Sequence, residues 1–181
     1  MADVVIASVD DALESIRKTR QVRQYVEGDV TEEQLHQLLE IARWTGSSRN
    51  TQPWRFVVIQ NKETLAQLAS LRENITWVAD AALAIGLVSP GVNPPHEAYD
   101  EGRVTERLLI AARMLGLGAG TAWFGEPERE AQAKALLNVP EEKTLRSIVA
   151  IGPYVTSKDP RPTGPKPGRL SLDELVYWEK M

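Results

Sequence analysis

The chain has 181 residues, 43% of them apolar and 25% charged, with a net charge of −4. That length suggests one domain burying about 70% of the surface its unfolded chain exposes, and the acidic balance argues against a general nucleic-acid binder. The absence of cysteine excludes disulfides, thiolate metal sites and cysteine nucleophiles, and two histidines (His36 and His96) outside any HExxH pattern argue against a histidine-rich metal site.

The first predicted element is a helix over 8–19. Ser8 is placed to cap it, Asp10 and Asp11 complement its dipole, and Leu13 and Ile16 supply part of an apolar stripe. Met1 to Asp10 has no basic region and does not read as a secretory leader. A second helix is expected over 31–45, with Thr31 as N-cap, Leu35, Leu38, Leu39 and Ala42 at helical spacing, and Gly46 as its end. Residues 55–60 read as a strand, 64–70 as a short helix and 81–88 as a buried strand. That last segment is the longest apolar run, far below the roughly 20 residues of a membrane span. The expectation is therefore a cytoplasmic protein that engages no membrane and no nucleic acid.

Residues 90–95 hold three prolines and a glycine and read as a loop. A long helix over 101–115 follows, with Val104, Leu108, Ala111, Ala112 and Leu115 on one face. Gly116 and Gly118 end it, and strands over 119–124 and 145–151 enclose a helix over 128–137. Gly116, Gly118 and Gly120 do not form a dinucleotide-binding loop, because they follow a helix and precede a strand, the reverse of that motif's order. Residues 155–168 alternate proline with basic residues and read as an extended arm. The arm ends in an expected amphipathic helix over 172–180. Its Leu172, Leu175, Val176, Tyr177 and Trp178 favour a docked segment over a free tail, since such side chains gain stability only by burial.

The most specific stretch is Gly46-Ser47-Ser48-Arg49-Asn50-Thr51-Gln52-Pro53-Trp54, a polar loop between a helix and the apolar run Phe56 to Ile59. Pro53 stops any helix, and the small polar side chains can approach a planar polar ligand. Upstream, Arg20 and Arg23 are either two solvated surface arginines or, if the chain turns there, a pair converging on one anion. Together these segments resemble the flavin-binding signature of the nitroreductase family. The family pattern Pro-Ser-Ser-x-Asn-x-Gln-Pro-Trp differs only at Gly46. The pattern Arg-Arg-Ser-x-Arg-x-aromatic is matched at Arg20, Arg23 and Tyr25, with Thr19 and Gln21 departing from it.

The resemblance implies an α+β fold, with a mixed central β-sheet flanked by helices, in an intertwined homodimer with FMN sites at the interface. Residues 1–181 would form a single FMN-binding domain, with 155–181 as an arm docking on the partner subunit. It implies FMN-binding roles for Arg20, Gln21 and Arg23, for Gly46 through backbone, and for Ser47, Ser48 and Asn50. It adds Asn74 at the ring, a backbone N–H near Phe124 and Gly125 by the flavin N5 edge, and Lys166 and Arg169 at the phosphate. From the residues alone, Trp123-Phe124-Gly125 is equally a packed strand end, and Lys166 with Arg169 a solubilising charge pattern. The implied activity is hydride transfer from NAD(P)H through the flavin to a nitroaromatic, quinone or similar small planar acceptor, in a ping-pong sequence. No protein side chain need serve as catalyst, because the chemistry belongs to the ring. Flavin-fragmenting and dehalogenating relatives share much of this signature, and a non-catalytic FMN-binding dimer fits it as well.

Overall fold

The computed structural model describes residues 9–155 and 169–181. Helix α1 (Val9–Lys18) leads to α2 (Glu32–Arg43), β1 (Arg55–Ile59), α3 (Lys62–Ser70), β2 (Leu83–Val88), α4 (Pro94–Met114), β3 (Gly118–Trp123), α5 (Pro127–Leu136), β4 (Ser147–Gly152) and α6 (Leu172–Leu175). Two 3₁₀ segments, Ser48–Asn50 and Glu73–Asp80, complete it. No helix among the described residues is long and apolar enough to cross a membrane.

The four strands form one sheet in the order β1-β2-β4-β3. The expected α+β architecture is present. The resemblance implies a mixed sheet, whereas all three pairings among the described strands are antiparallel. Between β1 and β2 the chain goes out along α3 and returns through Glu73–Asp80, which packs against it. It re-enters the sheet at the end it left, so β2 runs opposite to β1.

Strand side chains alternate between faces, and both faces are covered. Leu83, Ile85, Val149 and Ile151 pack with Leu38 and Ala42 of α2 and Val104 and Leu108 of α4. Ala84, Ile148 and Ala150 point the other way, onto Leu65 and Leu68 of α3, Phe124 and Ala133. Every residue of β2 and β4 is therefore buried, which is why both read as unbroken apolar runs rather than as alternating ones.

Two helix boundaries differ from expectation. Helix α4 starts at Pro94, about two turns before the expected position. Proline is tolerated in a first turn, where its missing N–H has no intrahelical partner, and the Asn93 side chain caps the helix by accepting from the His96 N–H. The last helix is a single turn, Leu172–Leu175, closed by a Ser171–Glu174 capping box, because Val176 turns extended. The aromatic end of the chain thus lies outside any helix, with Trp178 87% exposed.

The early start of α4 is anchored by Glu97, a carboxylate only 5% exposed. Its Oε1 accepts from the N–H groups of Val92 (2.8 Å) and Asn93 (3.1 Å). Its Oε2 accepts from the Thr144 hydroxyl at 3.2 Å and faces Arg146 at 3.5 Å. Arg146 also reaches Glu101, which takes the Ser147 hydroxyl, so Glu97 and Glu101 of α4 form one polar network with Thr144, Arg146 and Ser147. Burial pushes the Glu97 carboxyl up. The Asn93 and Val92 N–H groups, the Thr144 hydroxyl and the Arg146 charge outweigh it and hold the pKa below the ordinary range. A depressed carboxylate stabilises the fold above its unfolded pKa, about 4.3, and that stabilisation is lost as pH falls through the folded value. Glu97→Gln is therefore expected to cost about 1–3 kcal/mol at neutral pH. The gap from the parent should narrow steadily below pH ~4, as measured by urea unfolding at a series of pH values.

Candidate functional site

The segment after α1 lies along the outer edge of β3. Val22 N–H donates to the Ala119 carbonyl at 2.8 Å, and Gln21 Oε1 accepts from the Thr121 N–H at 2.9 Å. Tyr25 bridges to Tyr154, and its hydroxyl donates to the Ala150 carbonyl at 2.8 Å. Burial drives the Tyr25 phenol well above its ordinary pKa, so it remains a neutral donor. This approach needs a glycine at 120, where an added Cβ would stand 2.2 Å from the Val22 carbonyl oxygen and 3.1 Å from the Trp77 ring. The run Gly116-x-Gly118-x-Gly120 thus serves chain packing.

Behind that edge lies a cleft of about 520 Å³, lined by Arg23, Arg72, Asn74, Ile75, Trp77, Thr121 and Trp123. Among the described residues, two arginines line it and no acidic residue does. Arg23 lies over the Trp77 ring at 5.8 Å and Arg72 over the Trp123 ring at 5.5 Å. The Thr121 Oγ1 is buried and has no hydrogen-bond partner among the described residues. Of the residues expected from sequence, Arg23 and Asn74 meet here. Gln21 is adjacent but holds the Thr121 N–H. Arg20 turns back, its Nη1 donating to the Arg17 and Thr19 carbonyls at 2.7 Å each. Gly125 sits beside Arg72 with φ +93°. Phe124 departs from expectation. Its side chain is fully buried in the core, and its N–H donates to the Arg146 carbonyl, so it presents neither to the cleft.

The loop over 46–54 is held in an unusual conformation. Arg49, Asn50 and Gln52 all have positive φ, at 52°, 54° and 46°. Each such non-glycine residue costs roughly 1–3 kcal/mol. What over-determines the loop is visible around it. The Ser47 hydroxyl accepts from the Gln52 N–H at 2.9 Å, and Trp54 is buried beneath. Arg107 of α4 donates to the Trp44 carbonyl at 2.9 Å, and the Arg103 guanidinium fills the space where a side chain on Gly46 would stand. Ser48 and Asn50 are left exposed. None of residues 46–54 lines the Arg23 cleft. Gln52 and Trp54 instead border a separate groove of about 380 Å³ between α2 and β1. Arg169 is exposed, and Lys166 lies outside the described residues.

The Nitroreductase family model matches residues 16–90, which include both signature segments. A putative NADH dehydrogenase/NAD(P)H nitroreductase of Archaeoglobus fulgidus is 30% identical over 158 residues, 83% of this chain and 90% of that protein. The chain belongs to the nitroreductase family. The fold agrees with solved members. A putative NADH dehydrogenase/NAD(P)H nitroreductase of Bacteroides thetaiotaomicron superposes with a TM-score of 0.83 at 20% identity, covering 96% of this chain and all of that one. An FMN-dependent nitroreductase of Clostridium difficile gives 0.77 at 21% identity, covering 93% and 99%.

Sequence reasoning missed Arg72, Trp77 and Thr121. Their neighbours carry no motif, and only the return path through Glu73–Asp80 sets the first two against β3. Gly120→Ala tests how tightly that arrangement is held. The new methyl overpacks against Val22, so a loss of about 1–3 kcal/mol is expected. Faster amide exchange at Val22 and Thr121, measured by NMR, should accompany it, with little change in β1.

Proposed function

We propose that this nitroreductase-family chain is an FMN-dependent NAD(P)H oxidoreductase, working as a homodimer on nitroaromatic, quinone or similar planar acceptors. The observation that carries the reading is the cleft beside β3, which joins two arginines, two indoles, an amide and an unpaired buried hydroxyl and contains no carboxylate. That set suits a flat ligand with an anionic end. Indole faces accept aromatic rings, and guanidinium groups bind phosphate through charge-assisted hydrogen bonds. FMN, when bound, supplies the redox chemistry by taking hydride from NAD(P)H and reducing the acceptor. Arg23 and Asn74 hold the cofactor within the cleft, and the backbone at Gly125 borders it. Arg20 and Gln21 bind it by exchanging their present local hydrogen bonds for the ligand. One opening receives donor and acceptor in turn, which is the basis of a ping-pong sequence and of broad acceptor range.

The second half of the site comes from a second copy of the chain. Within one chain the strained loop and the cleft are separate, and the loop presents Ser48 and Asn50 outward. Gly46, Ser47, Ser48 and Asn50 of one subunit therefore close over the flavin of the other. The chain is a single domain whose residues 155–181 form an arm across the dimer. The exposure of Leu172, Leu175, Tyr177 and Trp178 in the single chain supports this, since burying each such side chain contributes about 1.5–3 kcal/mol. Lys166 and Arg169 ride on the arm and supply cations to the phosphate.

The purified protein is expected to be yellow and to release FMN, not FAD, on acid treatment, and anaerobic NADPH should bleach it. Arg23→Ala and Arg169→Ala should each weaken FMN binding by about 1.5–3 kcal/mol in a fluorescence titration. Lys18→Ala, whose ammonium pairs with Glu14 on the surface, should not. A protein that is colourless and ignores added FMN overturns the reading. Removal of residues 160–181 is expected to weaken both dimer and flavin binding, as read by light scattering and flavin titration. A truncated chain that stays dimeric with unchanged FMN affinity would show the arm to be dispensable.

A further inference from the structure

Arg72 stands just past α3, at the entry to Glu73–Asp80, in an extended conformation with φ −152° and ψ 132°. Its Nη1 donates to the Trp123 carbonyl at 2.9 Å, and its guanidinium lies 5.5 Å from the centre of the Trp123 ring. One donor of five and one face of the fork are thereby used, and they fix the orientation of the rest. None of the described ion pairs includes Arg72, and no acidic side chain lines the cleft it enters. It also touches the turn at Gly125, where an added Cβ would lie 3.3 Å from Nη1. A cation held by an indole and a carbonyl, and left without a counter-charge at a cavity wall, is arranged for an anion that arrives from outside.

We propose that Arg72 binds the cofactor of this cleft more tightly in its reduced state than in its oxidised state, and so raises its reduction potential. The inference rests on the FMN reading above. A hydride carries two electrons and one proton. Its transfer from NAD(P)H leaves NAD(P)⁺ and adds one negative charge to the acceptor, which a proton from solvent or a nearby cation must balance. In a cleft walled by Trp77, Trp123 and Ile75 a guanidinium interacts more strongly with that charge than it would in water. Arg23 brings the same sign of charge to the cleft. Arg72 differs in being tied to Trp123, so its charge stays in place whether or not a ligand is bound.

The test uses the FMN-loaded full-length protein and three variants, Arg72→Lys, Arg72→Gln and Arg72→Glu, with Arg129→Gln as control. Arg129 also approaches Gly125 but is ion-paired with Glu126. Oxidised-FMN affinity is read by fluorescence titration, and midpoint potential by spectrophotometric titration against a reference dye. Arg72→Gln is expected to lower the preference for the reduced state about tenfold, equivalent to ~30 mV for a two-electron couple. Arg72→Glu should lower it further, Arg72→Lys should keep most of it, and Arg129→Gln should leave it unchanged. The graded dependence on charge is something a purely structural contact with Trp123 would not produce. Variants that bind FMN with the parent's potential overturn this inference alone. A parent protein that takes up no FMN overturns the cofactor reading and this inference together.

Discussion

The site depends on one close contact between two backbones. Residues 20–26 lie on the edge of β3 because Gly120 leaves room for the Val22 carbonyl. That contact brings Arg23 to the mouth of the cleft, lets Gln21 reach the Thr121 N–H, and seats Tyr25 where its hydroxyl meets β4. It also covers a sheet edge that would otherwise offer unpaired N–H and C=O groups to other chains. A short segment without regular structure thereby becomes a wall of the site. Its precision comes from hydrogen bonds to the sheet, not from helical or strand propensity of its own.

The long helix α4 works as a rigid strut between this sheet and the polar loop. At its N-terminal end Glu97 and Glu101 tie it to Thr144, Arg146 and Ser147 at the start of β4. Further along, Arg103 and Arg107 reach Gly46 and the Trp44 carbonyl at the start of the loop. The left-handed residues Arg49, Asn50 and Gln52 are held against a framework that does not yield. Backbone strain of this kind persists only where the surroundings dictate it, and it collects at sites that bind or switch. At position 46, where the family pattern has proline, the Arg103 guanidinium lies beside the glycine.

Charge is distributed unevenly over an acidic protein. The net charge is −4, yet the cleft beside β3 contains two arginines and no acid. Elsewhere on the described surface some cations have local acidic partners, as in Arg17 and Lys18 with Glu14, Arg43 with Glu40 and Arg129 with Glu126. Exposed pairs of that kind contribute little to stability. What sets the cleft apart is that two arginines line one cavity with no acid among its described lining residues. The apolar stripe of α1 and the residues after Ser171 stay exposed in the single chain.

The sequence by itself determined the elements whose signals are local. Thr31 caps α2 as expected, and Gln34 completes a capping box there; the apolar runs of β2 and β4 are buried on both faces. The nonapeptide 46–54 identified the family before any coordinate, because nearly every position is a specific residue type rather than a general property. Local signals misled where prolines stood in a first helical turn, so that α4 began earlier than expected, and where apolar residues at the C-terminus suggested a helix longer than one turn. The resemblance put a backbone N–H near Phe124 and Gly125 at the flavin, whereas the fold gives the Phe124 N–H to the Arg146 carbonyl and its ring to the core. Tertiary structure alone decided which arginines face the cleft. Arg20 and Arg23 look equivalent in sequence, yet one turns to carbonyls of its own helix end and the other to Trp77. Arg72 carries no motif at all and becomes notable only because the chain returns past β3 to place it on Trp123, 51 residues away. A side chain's propensity is written in its near neighbours. Its partner is set by a fold that joins distant ones, and no local pattern contains that information.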